Sequence, residues 1–231
     1  MSDMDGALFL RSLFGLRHYF FQAGLQAALN ASPHILVNWG KQAEQRMHRI
    51  TGGINTHRGA IFALGIFCTS VCKLTMKYRA FSSRDLHQAI INDWSVFLEK
   101  HHRNENTHGA LVKHKYAVAD AKQIAIEGYQ LVFELYHELR ENVEDKVFFG
   151  LMAYQRLLLT IDDINILYRT GKQGLAFARQ QIQAISFHDR QHALQQTIEL
   201  HHLFSQKNIS PGGVADMLSV LYFLHYLFSG K

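Results

Sequence analysis

The residues best equipped for chemistry lie between Thr51 and Leu64: Thr-Gly-Gly-Ile-Asn-Thr-His-Arg-Gly-Ala-Ile-Phe-Ala-Leu. Gly52 and Gly53 open backbone angles closed to other residues. Asn55 or Thr56 can cap a helix start, because a short side-chain oxygen accepts an orphan backbone N–H there. His57, Arg58 and Gly59 then fall in or beside the first turn, and an apolar helix follows. A glycine-led helix start suits an anion, since unpaired N–H groups and the positive end of the helix dipole point the same way. His57 adds a titratable ring. Arg58 opposes the dipole where it stands, and an anionic ligand would account for it.

Two further junctions have the same character. One runs from Asp162 to Gly171 and carries Asp163, Asn165 and Arg169. The other is Ser-Pro-Gly-Gly from Ser210 to Gly213, followed by Asp216 in the first turns of an apolar helix. Asp163 and Asp216 are hard oxygen ligands that suit Mg²⁺. Arg58 and Arg169 offer planar donors to phosphate. Taken singly, each group reads first as a cap or a surface charge. If the three junctions converge, they supply backbone donors, cations and carboxylates to one cleft, as a nucleoside triphosphate with a divalent cation requires. No Walker A loop or dinucleotide fingerprint is present.

The elements that must position these groups are helices. The chain has 231 residues, 48% hydrophobic and 19% charged, which is an ordinary globular composition able to bury a sizeable core. Only two prolines and little β-branched alternation point to an all-α protein. We expect a single globular domain, 1–231, of roughly nine to eleven packed helices. The net charge of +5, with fifteen histidines, favours anionic partners. Without a block of five or six Lys/Arg it does not indicate nucleic acid. No apolar run reaches the ~18 residues of a membrane span, so no membrane partner is expected. The N-terminus carries Asp3 and Asp5 and no basic stretch, unlike a secretory signal. Cys68 and Cys72 are four apart, a spacing that disfavours a disulfide within a helix. They read as two buried thiols of a cytoplasmic protein.

The expected helices run from the N-terminus through Leu8, Leu13, Leu16 and Tyr19, then over 33–50, 57–78 and from Ser82–Ser83 through Leu98. Residues 101–109 read as a loop. Residues 111–140 read as mostly helical, with a stripe of Tyr129, Val132, Phe133 and Tyr136. Further helices are expected over 142–161, 175–185, 188–203 and 214–228, with 162–171 as a connector.

The three junctions resemble, in order, signatures of the triphosphoribosyl-dephospho-CoA synthase family. Gly-Gly-Ile-Asn-Thr-His-Arg-Gly-Ala-Ile-Phe is similar to the family's Gly-Val-Asn-Thr-His-Lys-Gly-Ala-Ile-Phe, with Glu44 and Met47 at the spacing expected upstream. Asp163-Ile164-Asn165 through Arg169 and Gly171 is similar to Asp-Thr-Asn-Leu-Leu-His-Arg-Gly-Gly. Ser210 through Leu218 is similar to Ser-Pro-Gly-Gly-Ser-Ala-Asp-Leu-Leu, and Asp3-Met4-Asp5 to the family's Asp-Met-Asp. There are departures. The chain starts after the family's Thr-Pro-Lys-Pro-Gly-Leu-Val-Asp-Arg-like segment. The family's Arg-Gly-Glu-Ala and Gly-Phe-Pro fall on Lys122-Gln123-Ile124-Ala125 and Gly128-Tyr129-Gln130, so an isoleucine stands at the acidic position. Glu127, one helical turn away, is the nearest substitute.

The resemblance implies that ATP and 3′-dephospho-CoA are the substrates. The ribose 2′-hydroxyl of 3′-dephospho-CoA attacks the anomeric carbon of the ATP ribose, and adenine leaves. On this reading we assign Mg²⁺ to Asp163 and Asp216. The triphosphate would lie on Arg58, Arg169 and the Gly212–Gly213 turn, with Gly53, Thr56 and Gly59 in the same nucleotide site. Asn55 and Asn165 would orient sugar or adenine. His57 or Glu44 would move the proton, with Asp163 a further catalytic candidate. The product would pass to a carrier-protein transferase of citrate lyase or malonate decarboxylase, and a homodimer is compatible with this reading. Two alternatives stay open: a shortened non-catalytic paralogue that binds a nucleotide or CoA derivative, and a helical Mg-dependent ribosyl hydrolase.

Overall fold

Local capping chemistry sets most helix starts. The Asp5 side chain accepts the Leu8 N–H at 2.7 Å, and α1 runs Gly6–Ala28. Proline opens α2, Pro33–Thr51. It ends at Gly52 and Gly53, both left-handed at φ 65° and 93°, and the Gly53 N–H reaches back to the His48 carbonyl at 2.8 Å. The next helix, α3, runs Arg58–Lys77. Ser82 and Asp85 form a reciprocal capping box at α4, Ser83–Ile90. A π turn, Ile91–Ser95, carries α4 directly into α5, Val96–Lys100.

The remaining helices are α6 (His108–Tyr116), α7 (Ala121–Ile126), α8 (Gln130–Leu139), α9 (Lys146–Thr160), α10 (Ile164–Gln183), α11 (Arg190–Gln206) and α12 (Gly212–Ser229). The computed structural model describes residues 5–101, 108–140 and 145–229. Asp3 and Met4 of the Asp-Met-Asp segment, and most of the expected loop at 101–109, lie outside the described residues. Among the described residues there is no strand, and α4 and α5 form one continuous helix, so the all-α expectation holds with eleven helices.

Two boundaries differ from expectation. The stretch 111–140 is broken twice, at Ala117 and at Gly128–Tyr129, where φ is positive. The expected connector 162–171 is the first part of α10, because Asp163 caps it. The chain then kinks at Gly171 (φ 68°, ψ −167°) and resumes helix to Gln183.

The chain forms two compact units, Met1–His101 with Ala125–Tyr129, and His102–Ile124 with Gln130–Lys231. In the first, α1 packs on both α2 and α3. Leu16, Ala43, Met47 and Ile61 are buried together, with Tyr19 and Phe20 against them. The Tyr19 hydroxyl donates to the Ile61 carbonyl at 3.2 Å and occupies the space a side chain at Gly65 would need. Phe67 of α3 meets Tyr129 edge-on at 5.0 Å. Cys68 and Cys72 are free and half-buried beside Gly24 rather than fully buried.

One expectation is corrected here. By length and composition α3 is apolar enough to cross a membrane. Its Gly, Ser, Thr and Cys positions break the apolar run without lowering mean hydropathy much. Its buried residues Ile61, Ala63, Ile66, Phe67 and Leu74 make it the core helix of this bundle.

In the second unit α12 packs on α8, α9 and α10. Val214, Met217, Val220, Leu221 and Leu224 are its buried residues. Arg179 staples the α9–α10 turn, donating to the Ile161 carbonyl at 3.1 Å and to Asp162 Oδ1 at 3.0 Å.

Candidate active site

The first junction lies in the first unit. Thr51 is buried and its hydroxyl meets the Met47 and Ile54 carbonyls at 2.9 and 2.6 Å, which closes the turn after α2. Gly52 and Gly53 are exposed with open space beside them, so glycine is needed there for backbone angle and not for room. Helix α3 then starts with His57 as the N-cap residue. The capping oxygen comes from two residues earlier: Asn55 Oδ1 accepts the Arg58 N–H at 3.1 Å. The N–H groups of Gly59 and Ala60, in the same first turn, have no acceptor within the helix.

His57 is the centre of this junction. Its ring is 7% exposed and packs at 4.2 Å on Phe9. Nδ1 lies 3.0 Å from both Ser12 Oγ and Thr56 Oγ1, which are 2.7 Å from each other. Nε2 is buried and has no hydrogen-bond partner. Either tautomer leaves that atom short of a partner, at a cost of about 1–3 kcal/mol. An orphan of this kind in an otherwise paired cluster marks His57 as a candidate functional group.

Burial pushes the His57 pKa down. The folded protein therefore keeps the ring neutral at pH values where the unfolded chain takes a proton. Stability is complete above the ordinary value of 6.5 and falls as pH drops below it, down to the folded-state value. We expect the wild-type melting midpoint to fall relative to that of His57→Gln as pH drops from neutral toward about 5. Parallel midpoint curves for the two proteins would contradict it.

Arg58 has a partner within the chain. Its Nε sits 3.2 Å from Glu44 Oε2 on α2, with the guanidinium half exposed. Glu44 thus offsets the charge that α3's dipole disfavours, a need otherwise ascribed to a ligand alone. A pair this exposed is worth about 0–1 kcal/mol.

The second and third junctions meet in the second unit, on one carboxylate. Asp163 is 0% exposed. Its Oδ1 accepts the N–H groups of Asn165 and Ile166 at 2.9 and 3.0 Å, and its Oδ2 accepts the Val214 N–H at 2.8 Å. Gly213 N–H is a fourth donor. The starts of α10 and α12 therefore share a single buried acceptor. Burial pushes the Asp163 carboxyl up, against the four N–H donors that favour its ionised form. Gly212 and Gly213 are required by this closeness. A side chain at Gly212 would strike the Asn165 carboxamide, and one at Gly213 would lie 3.1 Å from Asp163 Oδ2. Asp216 is half-buried one turn further along α12. Arg169 is exposed and donates to Asn208 Oδ1 at 2.9 Å.

Among the described residues, no group of three or more His, Cys, Asp or Glu could hold a metal. Ile124 is half-buried in α7, while Glu127 falls just past the end of that helix and is exposed. Three site neighbours lay outside the sequence reading: Ser12, Phe9 and Asn208. Ser12 leaves one trace in sequence, a small polar residue four before Leu16 on the face of α1 that is otherwise apolar.

Comparison with known proteins places the sequence in a family. The family model described as ATP:dephospho-CoA triphosphoribosyl transferase matches residues 1–231. The chain belongs to that family, a family of transferases. A relative from Acinetobacter calcoaceticus, named a probable 2-(5''-triphosphoribosyl)-3'-dephosphocoenzyme-A synthase, is 32% identical over 96% of this chain and 79% of its own length. Proteins of the same name from Salmonella gallinarum and Photobacterium profundum are 28% and 30% identical, over 99% and 96% of this chain and 82% and 76% of theirs. No solved structure matches the chain.

Proposed function

We propose that the protein transfers the triphosphoribosyl group of ATP to the ribose 2′-hydroxyl of 3′-dephospho-CoA. A C–O bond forms at the anomeric carbon as its bond to adenine breaks. The acceptor hydroxyl loses a proton and the departing adenine gains one. The observation that carries this reading is His57 in the Asn-Thr-His-Arg-Gly junction. It is neutral, fixed by Ser12 and Thr56 through Nδ1, and unpaired at a buried Nε2. That atom suits proton transfer at the start of a helix whose first N–H groups favour an anion. Glu44 is the alternative base, with its carboxylate committed to Arg58.

The remaining roles rest on the motif resemblance. Within the first unit, Gly53, Asn55, Thr56, Arg58 and Gly59 are assigned to nucleotide binding; within the second, Asn165, Arg169, Gly212 and Gly213 are assigned to nucleotide binding by the same resemblance. Asp163 is assigned to positioning: four N–H donors and full burial leave it poorly suited to direct ligation of Mg²⁺ or to proton transfer. Asp216 is the carboxylate that suits the cation, which would neutralise triphosphate charge and take most of its ligands from phosphate and water. We infer a cytoplasmic protein, in keeping with two free half-buried cysteines, whose product passes to a carrier-protein transferase. Incubation with Mg-ATP and 3′-dephospho-CoA should yield an acceptor heavier by one triphosphoribosyl group in mass spectrometry. Unmodified acceptor under turnover conditions would overturn the proposal.

A further inference from the structure

We propose that α1 is a dimer seam, on which two copies of this chain pair antiparallel across a two-fold axis between Arg17 and His18. The inference is independent of the reaction assigned above. It starts from a helix that is apolar on two faces. One face, with Leu16, Ala23 and Ala27, is buried against α2 and α3. The opposite face carries Leu10, Phe14, Phe21 and Leu25 and is exposed, with both phenylalanines 66% accessible. An exposed apolar stripe of this size marks a surface that a partner covers.

The exposed stripe is self-complementary. Its spacings of four, seven and four residues keep it on one side of the helix. Its positions are symmetric about the Arg17–His18 midpoint. An antiparallel copy therefore sets Phe14 against Phe21 and Leu10 against Leu25, each contact made twice, as an isologous interface requires. At the observed exposures, these residues with Leu13 and Leu29 offer roughly 700 Å² of apolar surface per chain. A stable interface takes about 800 Å² per partner, so the stripe supplies most of what is needed. Arg17 and His18 flank the axis: Arg17 Nε donates to His18 Nε2 at 3.2 Å, and the arginine stem covers apolar surface while its charged head stays in water at the rim.

Light scattering of the full chain should give twice the 26.5 kDa chain mass. Phe14→Glu and Phe21→Lys should each halve the measured mass with helical content unchanged, because both side chains are exposed. Combined in one chain, they should restore the dimer, since each Glu then faces a Lys of the partner and the pair occurs twice. A parallel pairing would put like charges together and give no rescue. A monomeric wild type, or a folded double variant that stays monomeric, overturns the proposal. A monomeric wild type that sediments with anionic phospholipid vesicles assigns the stripe to a membrane surface instead.

Discussion

Replacing His57 with glutamine should slow adenine release by about 10²–10⁴-fold, the usual contribution of a positioned proton carrier. Glutamine keeps the size and can still meet Ser12 and Thr56, so the fold should survive. What it lacks is a nitrogen that takes and returns a proton near neutral pH. The burial that lowers the His57 pKa keeps the ring in its proton-accepting form. The rate should therefore hold at neutral pH and fall on the acid side, and this limb should vanish in the variant. Wild-type rates from His57→Gln would move the proton role to Glu44. A rate loss fully accounted for by a lower folded fraction of the variant would instead make His57 a structural cap.

Asp163→Asn carries the second large effect, and it separates two roles for one residue. As a clamp, Asp163 serves four N–H donors from two helix starts. An asparagine replaces one acceptor oxygen with an NH₂ that must face N–H groups in a buried site. Each buried N–H left without an acceptor costs about 1–3 kcal/mol, which for two of them is on the order of 10 °C in the melting midpoint of a chain this long. The loss should appear without ATP or metal present. A metal ligand would behave differently: the unliganded protein would melt as wild type, and only Mg-ATP affinity would fall. Calorimetry of the variant with and without Mg-ATP distinguishes the two.

The sequence was readable where chemistry acts over three or four residues. The Ser82–Asp85 capping box and the proline that opens α2 are local, so their helix starts could be placed within a residue or two. The three junctions were legible as junctions because glycine and short polar side chains have few other uses in an apolar helical chain. What Asp163 does was not legible. Its caps on Asn165 and Ile166 are local, but its bond to Val214 spans 51 residues. That contact ties two helix starts to one carboxylate, and it is the reason we propose a positioning role for Asp163. Ser12 is hidden in the same way, 45 residues from His57 in an apolar helix. Arg58 shows the converse. Its mismatch with the α3 dipole was visible in sequence, but Glu44 as its partner required α2 and α3 to be packed together. Ile124 remains a departure from the family pattern; the carboxylates nearest to it along the chain are Asp120, buried one turn before it, and Glu127, exposed one turn after it.

The central claim is group transfer from ATP to an acceptor hydroxyl, and acceptor-dependent adenine release tests it most directly. The protein is incubated with Mg-ATP, with and without 3′-dephospho-CoA, and free adenine is quantified. Release that requires 3′-dephospho-CoA and matches its consumption one for one is the expected result. Release without the acceptor would reveal a hydrolase, and no release in either case would contradict turnover and leave a nucleotide-binding protein.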